Sequence, residues 1–191
     1  MRDAGVGRVL LASLHQGIAD ILPTRLGFYE SWLHAKGLRD GTIDLAPLYA
    51  VLSFMRQEGD VSYRKITTSA GEYAAEWTIQ SMGGFERWLI RAAPNWLRNR
   101  LVLRLADRLV RDTFRRGRLG FRLRKNVATL DLRDSVFCDV RDRVDHPLCG
   151  FYTSAVARLL ALFGVPAKVE VNSCRATGAA ACTMTVTIEQ Q

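Results

Sequence analysis

The stretch that decides the fold is DHPLCGFYTSAVARLLALFGVPAKVEV at residues 145–171, followed by NSCRATGAAACTMTVTI at residues 172–188. In the first run, apolar residues recur at three- and four-residue spacing as far as Phe163, and Gly164 then ends the pattern. The opening Asp-His-Pro is typical of a helix start, because proline tolerates an early helical position. The sequence therefore predicts an amphipathic helix from about Asp145 to Phe163.

Two strands are predicted after this helix. Residues 167–171 and 183–188 alternate apolar and polar side chains and are rich in β-branched residues. The segment between them is small and contains Gly178, which is typical of a tight connection. The predicted module is therefore helix, strand, turn and strand, with Cys149 in the first turn of the helix.

The four cysteines of the chain all lie in this last third, at Cys138, Cys149, Cys174 and Cys182. Cys174 and Cys182 flank the predicted hairpin and can lie side by side, while the preceding helix can bring Cys149 to them. Three converging thiolates and one further ligand suit a soft tetrahedral cation such as Zn²⁺. The candidates for the fourth place are Cys138, Glu170, Asp145 and His146.

Two other interpretations of the cysteines stay open. The seven residues between Cys174 and Cys182 exceed the spacing of a zinc knuckle, so the thiols could simply be small buried hydrophobic groups. A pair of Cys149 with His146 could also give an activated thiolate, although no third orienting group is evident.

The same residues resemble the C-terminal signature of the vinyl-4-reductase domain family. The matching positions are Pro147-Leu148-Cys149-Gly150-Phe151-Tyr152, Gly164, Glu170, Cys174-Arg175-Ala176-Thr177-Gly178 and Cys182. That family is named after bacteriochlorophyll 4-vinyl reductase and includes the sensor domains of phenol- and xylene-responsive activators. It shares its fold with Bet3-type subunits of the TRAPP tethering complex. The resemblance covers roughly residues 60 to 190.

The resemblance implies a zinc bound by three cysteines and a glutamate. The three cysteines correspond to Cys149, Cys174 and Cys182. The family's glutamate lies three residues before the second cysteine, where this chain has Val171. Glu170 is one position earlier, on the other face of the strand unless a bulge intervenes, so Cys138 is a substitute for the fourth ligand.

Composition restricts the class of protein. A chain of 191 residues that is 48% hydrophobic suits one domain with a substantial core. No apolar run approaches the length of a membrane span, and polar residues interrupt the apolar N-terminus, which argues against a signal peptide. Four unevenly spaced cysteines are typical of a reducing compartment, so we expect a cytoplasmic protein.

The first 137 residues are predicted to be mainly helical up to about residue 117. Helices are expected over residues 9–22 and 24–35, from Thr42 to Glu58, and from residue 63 or 69 to Met82. Residues 1–60 are interpreted as an N-terminal helical segment packed on the same domain. Residues 61–191 are interpreted as the vinyl-4-reductase-like small-molecule-binding domain.

Aromatic residues are dense in this half of the chain. They include Phe54, Tyr63, Tyr73, Trp77, Phe85, Trp88 and Trp96. Such residues suit a pocket for a flat hydrophobic ligand, although the residues alone favour an ordinary core. With the ligand binding that the resemblance implies, Tyr73 and Trp77 are the predicted lining residues.

Residues 98–125 hold eleven of the 27 basic residues and only two acids, Asp107 and Asp112. Leucines occupy one face of the predicted helix, and Arg104, Arg108 and Arg111 occupy the other. This basic face could meet an acidic protein or an anionic surface. The alternative is a solvated face in which the two acids pair with Arg111 and Arg108. No motif for sequence-specific nucleic-acid binding is present.

After Gly117 apolar and polar side chains alternate over residues 119–124 and 128–132. Val136-Phe137-Cys138 is predicted to be a short third strand or the end of the second. The predicted fold is therefore α+β. A helical N-terminal part packs on a four- to five-stranded antiparallel sheet, as in the TRAPP/Bet3-like ligand-binding fold. Relatives of that fold commonly form homodimers.

Three functional hypotheses remain. No nucleophile elbow, phosphate loop or dinucleotide-binding motif is present, which favours a protein without catalysis. The first hypothesis is a sensor or carrier that binds a hydrophobic, aromatic or tetrapyrrole-like molecule and contains a structural zinc. The others are a 4-vinyl reductase or accessory factor of bacteriochlorophyll biosynthesis, and an assembly subunit without a ligand.

Overall fold

The structure is a computed structural model and describes residues 5–33, 45–140 and 143–189. These residues contain seven α-helices: α1 (Arg8–Ile21), α2 (Leu26–Leu33), α3 (Leu45–Gln57), α4 (Asp60–Ser81), α5 (Gly84–Ala92), α6 (Asn95–Thr113) and α7 (Gly150–Leu162). The predicted start of the third helix at Thr42 lies outside the described residues. None of the helices in the described ranges combines the length and the apolar character needed to cross a bilayer.

A four-stranded antiparallel sheet completes the fold. Its strands are β1 (Arg118–Arg124), β2 (Val127–Arg133), β3 (Ala167–Ser173) and β4 (Cys182–Ile188), in the order β1-β2-β4-β3. Alternate residues of β2 and β4 are buried, so one face of the sheet meets the helices. The predicted α+β class is confirmed.

The long helix α4 lies at the centre of the helical layer, because both α1 and α7 pack along it. Gly71 allows the close approach of α7: a Cβ atom there would overlap Ser154 Oγ and the carbonyl oxygen of Phe151. One continuous apolar core joins the N-terminal helices to the sheet. The division at residue 60 stays a prediction.

The segments on either side of the sheet differ from the prediction in two places. Val136–Cys138 is a 3-10 turn rather than a third strand, because Asp134 has a φ of +54° and directs the chain away from the sheet. Helix α7 begins at Gly150 rather than near Asp145. The N–H of Val144 donates to the carbonyl of Ala176, which keeps the preceding segment bound to the connection between β3 and β4.

Candidate metal centre

Four thiols meet at one point in the core. The Sγ atoms of Cys138, Cys149, Cys174 and Cys182 all lie within 4.8 Å of one another, and all four residues are buried. The Cys138 sulfur lies 3.2 Å from that of Cys149 and 3.5 Å from that of Cys174. The Cys149 and Cys174 sulfurs are 3.4 Å apart.

Each thiol is placed by the end of a different secondary-structure element. Cys138 ends the turn after β2, and Cys149 is the N-cap of α7. Cys174 directly follows β3, and Cys182 is the first residue of β4. The cluster therefore ties α7 to both C-terminal strands and to the chain that leaves β2.

Backbone hydrogen bonds stabilise the connection between Cys174 and Cys182, and one of them reaches a sulfur. The N–H of Arg175 donates to Cys182 Sγ at 3.3 Å. The N–H groups of Thr177 and Ala179 donate to the Cys174 carbonyl, and Gly178 adopts the left-handed conformation, with a φ of +93°. A tight connection with inward N–H groups is the type of outer shell that orients and stabilises thiolate ligands.

The sulfur separations fit tetrahedral coordination better than they fit a disulfide. A Zn–S bond of about 2.3 Å gives a tetrahedron with edges of about 3.8 Å. A disulfide requires about 2.0 Å. The separations of 3.2, 3.4 and 3.5 Å need only a small expansion to surround an ion.

Electrostatics also favours a cation at this point. Hydrogen bonds with Cys138 and Cys174, together with burial, raise the pKa of the Cys149 thiol. Hydrogen bonds from Cys138 and Cys149 lower the pKa of Cys174. Hydrogen bonds from Cys138 and Cys149 also lower the pKa of Cys182. Four buried sulfurs in contact cannot all ionise without a compensating positive charge. A divalent cation removes this restriction.

The other candidates for the fourth ligand lie elsewhere. Glu170 is exposed and pairs with Lys168 at 2.8 Å. The sheet register shifts only between Val171 and Ser173, so the bulge comes after Glu170 and does not turn it inward. His146 and Asp145 form a separate surface group with Asp60. The structure therefore brings Cys138, and not Glu170, to the three thiols.

The aromatic residues Tyr73 and Trp77 of α4 are half-buried and stack on each other with ring centroids 5.6 Å apart. Tyr73 donates its hydroxyl to Asp20 at 2.8 Å. Neither residue lines the cleft that Asp139 and Tyr49 share. Their role as ligand-binding residues stays a prediction.

A cleft of about 630 Å³ lies beside the thiol cluster. Its walls are residues of α3 and of the segment that follows Cys138: Tyr49, Ala50, Ser53, Arg56, Asp139, Val140 and Val144. The Tyr49 hydroxyl donates to Asp139 at 2.6 Å, and burial with this hydrogen bond raises the pKa of Tyr49 to about 12. Sequence reasoning missed this cleft. The position of Asp139 next to Cys138 was its only sequence signal.

The basic face of α6 is partly neutralised. Arg111 pairs with Asp107 at 3.0 Å, and Arg108 lies 3.8 Å from Asp112. These are the two pairs expected for a solvated face. Arg104 is exposed and forms no ion pair with the described residues.

Comparison with known proteins identifies the fold. No protein-family model and no curated protein sequence matches the chain. Among solved structures, an H-NOX protein from S. oneidensis in the Fe(II)NO ligation state matches with a TM-score of 0.64 and 10% identity, covering 96% of this chain and 99% of that one. A mutant Fe(II) unliganded H-NOX protein from K. algicida matches with a TM-score of 0.65 and 10% identity, covering 97% of each chain.

A third structure is the phenol-responsive sensory domain of the transcription activator PoxR with phenol. It matches with a TM-score of 0.49 and 13% identity, covering 76% of this chain and 75% of that one. A likeness at this level carries no argument about this chain. What the comparisons show is the fold of the H-NOX proteins, while kinship with the vinyl-4-reductase family stays a prediction.

The described part of the chain contains no buried histidine that could bind an iron such as that of the H-NOX structures. Imidazole is a common ligand of protein-bound iron. Of the described histidines, His15 pairs with Glu30 at the surface and His146 pairs with Asp145. Neither is buried, so the described residues offer no histidine ligand inside the core.

Proposed function

We propose that this protein is a zinc-binding sensor or carrier domain for a small, mainly apolar molecule. The observation that carries the proposal is the group of four buried thiols within 4.8 Å of one another. Four thiolates with no open position are typical of a structural zinc site. The zinc would fasten α7, β3 and β4 together, so its role is to hold the domain in shape.

The cleft beside Cys138 supports the ligand-binding part of the proposal. Its volume of about 630 Å³ falls in the range of small-molecule sites. Ala50, Val140 and Val144 provide apolar walls, while Arg56 and Asp139 provide polar groups. The shared fold adds a precedent, since the H-NOX structures were solved in Fe(II)NO and unliganded states.

A physical connection joins this cleft to the thiols. Asp139 directly follows Cys138, and Val144 donates its N–H to Ala176 at 2.9 Å, inside the connection from Cys174 to Cys182. Asp139 and Val144, two residues of the cleft wall, are therefore both linked to the proposed metal centre. Anchored residues in a ligand-binding wall are what a sensor or carrier requires.

Native mass spectrometry with elemental analysis of the freshly purified chain tests the metal. We expect one zinc per chain, and we expect Cys138→Ser to weaken zinc binding by at least about 100-fold, since even outer-shell changes cost 10- to 100-fold. Glu170→Gln serves as the matched control and should keep full zinc content. Loss of zinc from Glu170→Gln with retention in Cys138→Ser would contradict the assignment of the fourth ligand.

The ligand site is tested by filling the cleft. Ser53→Trp places an indole among the cleft residues, whereas Thr68→Trp adds the same side chain to the exposed side of α4. We expect the first variant to lose any small molecule that wild type retains in native mass spectra, and to keep its zinc. The second should retain both. A ligand that stays bound in Ser53→Trp would place the ligand site outside this cleft.

A further inference from the structure

Helix α5 exposes its apolar side. Phe85, Trp88 and Leu89 are 75%, 62% and 50% exposed, and their spacing of three and four residues puts them on one face. Phe85 and Trp88 stack with ring centroids 5.9 Å apart. We call these three residues the aromatic face. The sequence favours a pocket or the core for the rings of Phe85 and Trp88, and the structure places them in neither.

The orientation of α5 explains this exposure. Ile90 is buried against the body of the protein, and Glu86 lies 3.7 Å from Arg108 on α6. These two contacts fix which side of the helix faces α6. The aromatic face consequently points outward, in contrast to the usual amphipathic helix of a globular domain.

Arginines without an acidic partner among the described residues lie on this helix and on α6. Residues 84–125 contain 13 basic and three acidic side chains, and each of the acids is paired with an arginine of α6. Four exposed or half-buried arginines form no ion pair with the described residues: Arg87, Arg91, Arg100 and Arg104. Trp96, which is 64% exposed, lines a cleft with Arg100 and with Lys125 of the β1–β2 turn.

We propose that the aromatic face binds the surface of a lipid bilayer that contains anionic phospholipids. Aromatic and leucine side chains on one side of a helix enter the boundary between headgroups and acyl chains, and flanking arginines bind lipid phosphates. Each cation close to an anionic leaflet adds to the attraction. This inference is independent of the zinc and of the ligand cleft.

Charge decides between this partner and a second copy of the chain. A symmetric dimer through the aromatic face would bring Arg91 and the net positive charge of residues 84–125 of both copies together, and like charges across an interface are unfavourable. Single-stranded nucleic acid would also complement the arginines, since its bases stack on exposed aromatic rings. Leu89 is 50% exposed on the same face, offers a base no ring to stack on, and instead suits hydrocarbon.

Vesicle co-sedimentation of the full chain tests the proposal. We expect binding to vesicles of phosphatidylcholine with 30% phosphatidylserine, and weaker binding to pure phosphatidylcholine and in high salt. Replacing both Phe85 and Trp88 by Ser should reduce partitioning at least about tenfold. Replacing Arg91 and Arg100 by Glu should reduce the preference for the anionic vesicles.

Trp32→Ala is the matched control, because Trp32 is 40% exposed on α2. It should leave partitioning unchanged, and the melting temperatures of all variants should stay close to wild type. The proposal would be overturned if the wild type did not bind the vesicles, or if the changes at Phe85 and Trp88 left vesicle binding unaffected. It would also be overturned if the wild type bound no vesicles but self-associated or bound RNA, and the changes at Phe85 and Trp88 abolished that activity.

Discussion

Cys174→Ser is expected to release the zinc and to lower the melting temperature by at least about 10 °C. The Cys174 sulfur lies 3.4 Å from the Cys149 sulfur and 3.5 Å from the Cys138 sulfur, so its loss removes one of the four proposed ligands. A serine hydroxyl is a poor ligand for zinc. The proposed zinc would then no longer join α7 to β3 and β4, and its binding would contribute nothing to the folded state.

Ala128→Ser separates the loss of metal from the cost of a buried hydroxyl. Ala128 is fully buried on β2 and pairs with Val186, far along the strands from the Leu132–Cys182 pair. We expect this variant to lose about 1–3 kcal/mol of stability and to keep its zinc. A strong chelator should lower the melting temperature of wild type and Ala128→Ser but not that of Cys174→Ser. Equal effects of the chelator on all three proteins would contradict a zinc bound by Cys174.

Gly71→Ala is expected to destabilise the fold by about 2–3 kcal/mol. A Cβ atom at Gly71 overlaps Ser154 Oγ and the Phe151 carbonyl oxygen, and that carbonyl belongs to the backbone of α7. Helix α7 must therefore move away from α4. Because Cys149 caps α7, the shift should also weaken the zinc site, and denaturant unfolding of the chain with and without zinc measures both effects.

Gly27→Ala is the matched control for this prediction. Gly27 lies in α2, is exposed, and has no atom within 4 Å of an added Cβ. Alanine is a better helix former than glycine, so this change should stabilise the protein by up to about 1 kcal/mol. If Gly71→Ala were as stable as wild type, the close packing of α4 on α7 would be wrong.

The C-terminal module could be predicted from the sequence because its signals are local. Alternation defines β3 and β4, and Gly178 marks the tight connection between them. The approach of Cys138 could only be proposed as one of four alternatives. Its position depends on how the chain leaves β2 at Asp134, which is a matter of tertiary packing and not of spacing.

The exposed side of α5 shows a different limit of sequence analysis. Phe85, Trp88 and Leu89 have the spacing of a core-facing helix, and periodicity alone does not say which way such a face points. The burial of Ile90 against the body of the protein orients the helix, and Glu86 on the same side lies near Arg108, 22 positions along the chain. The cleft at Tyr49 and Asp139 likewise joins residues 90 positions apart.

X-ray absorption at the zinc edge, measured on the chain as purified, tests the four-thiol centre most directly. We expect about one zinc per chain, surrounded by four sulfur atoms at about 2.3 Å. A first shell dominated by oxygen or nitrogen, or protein that stays folded with all four thiols free and without any bound zinc, would contradict the account.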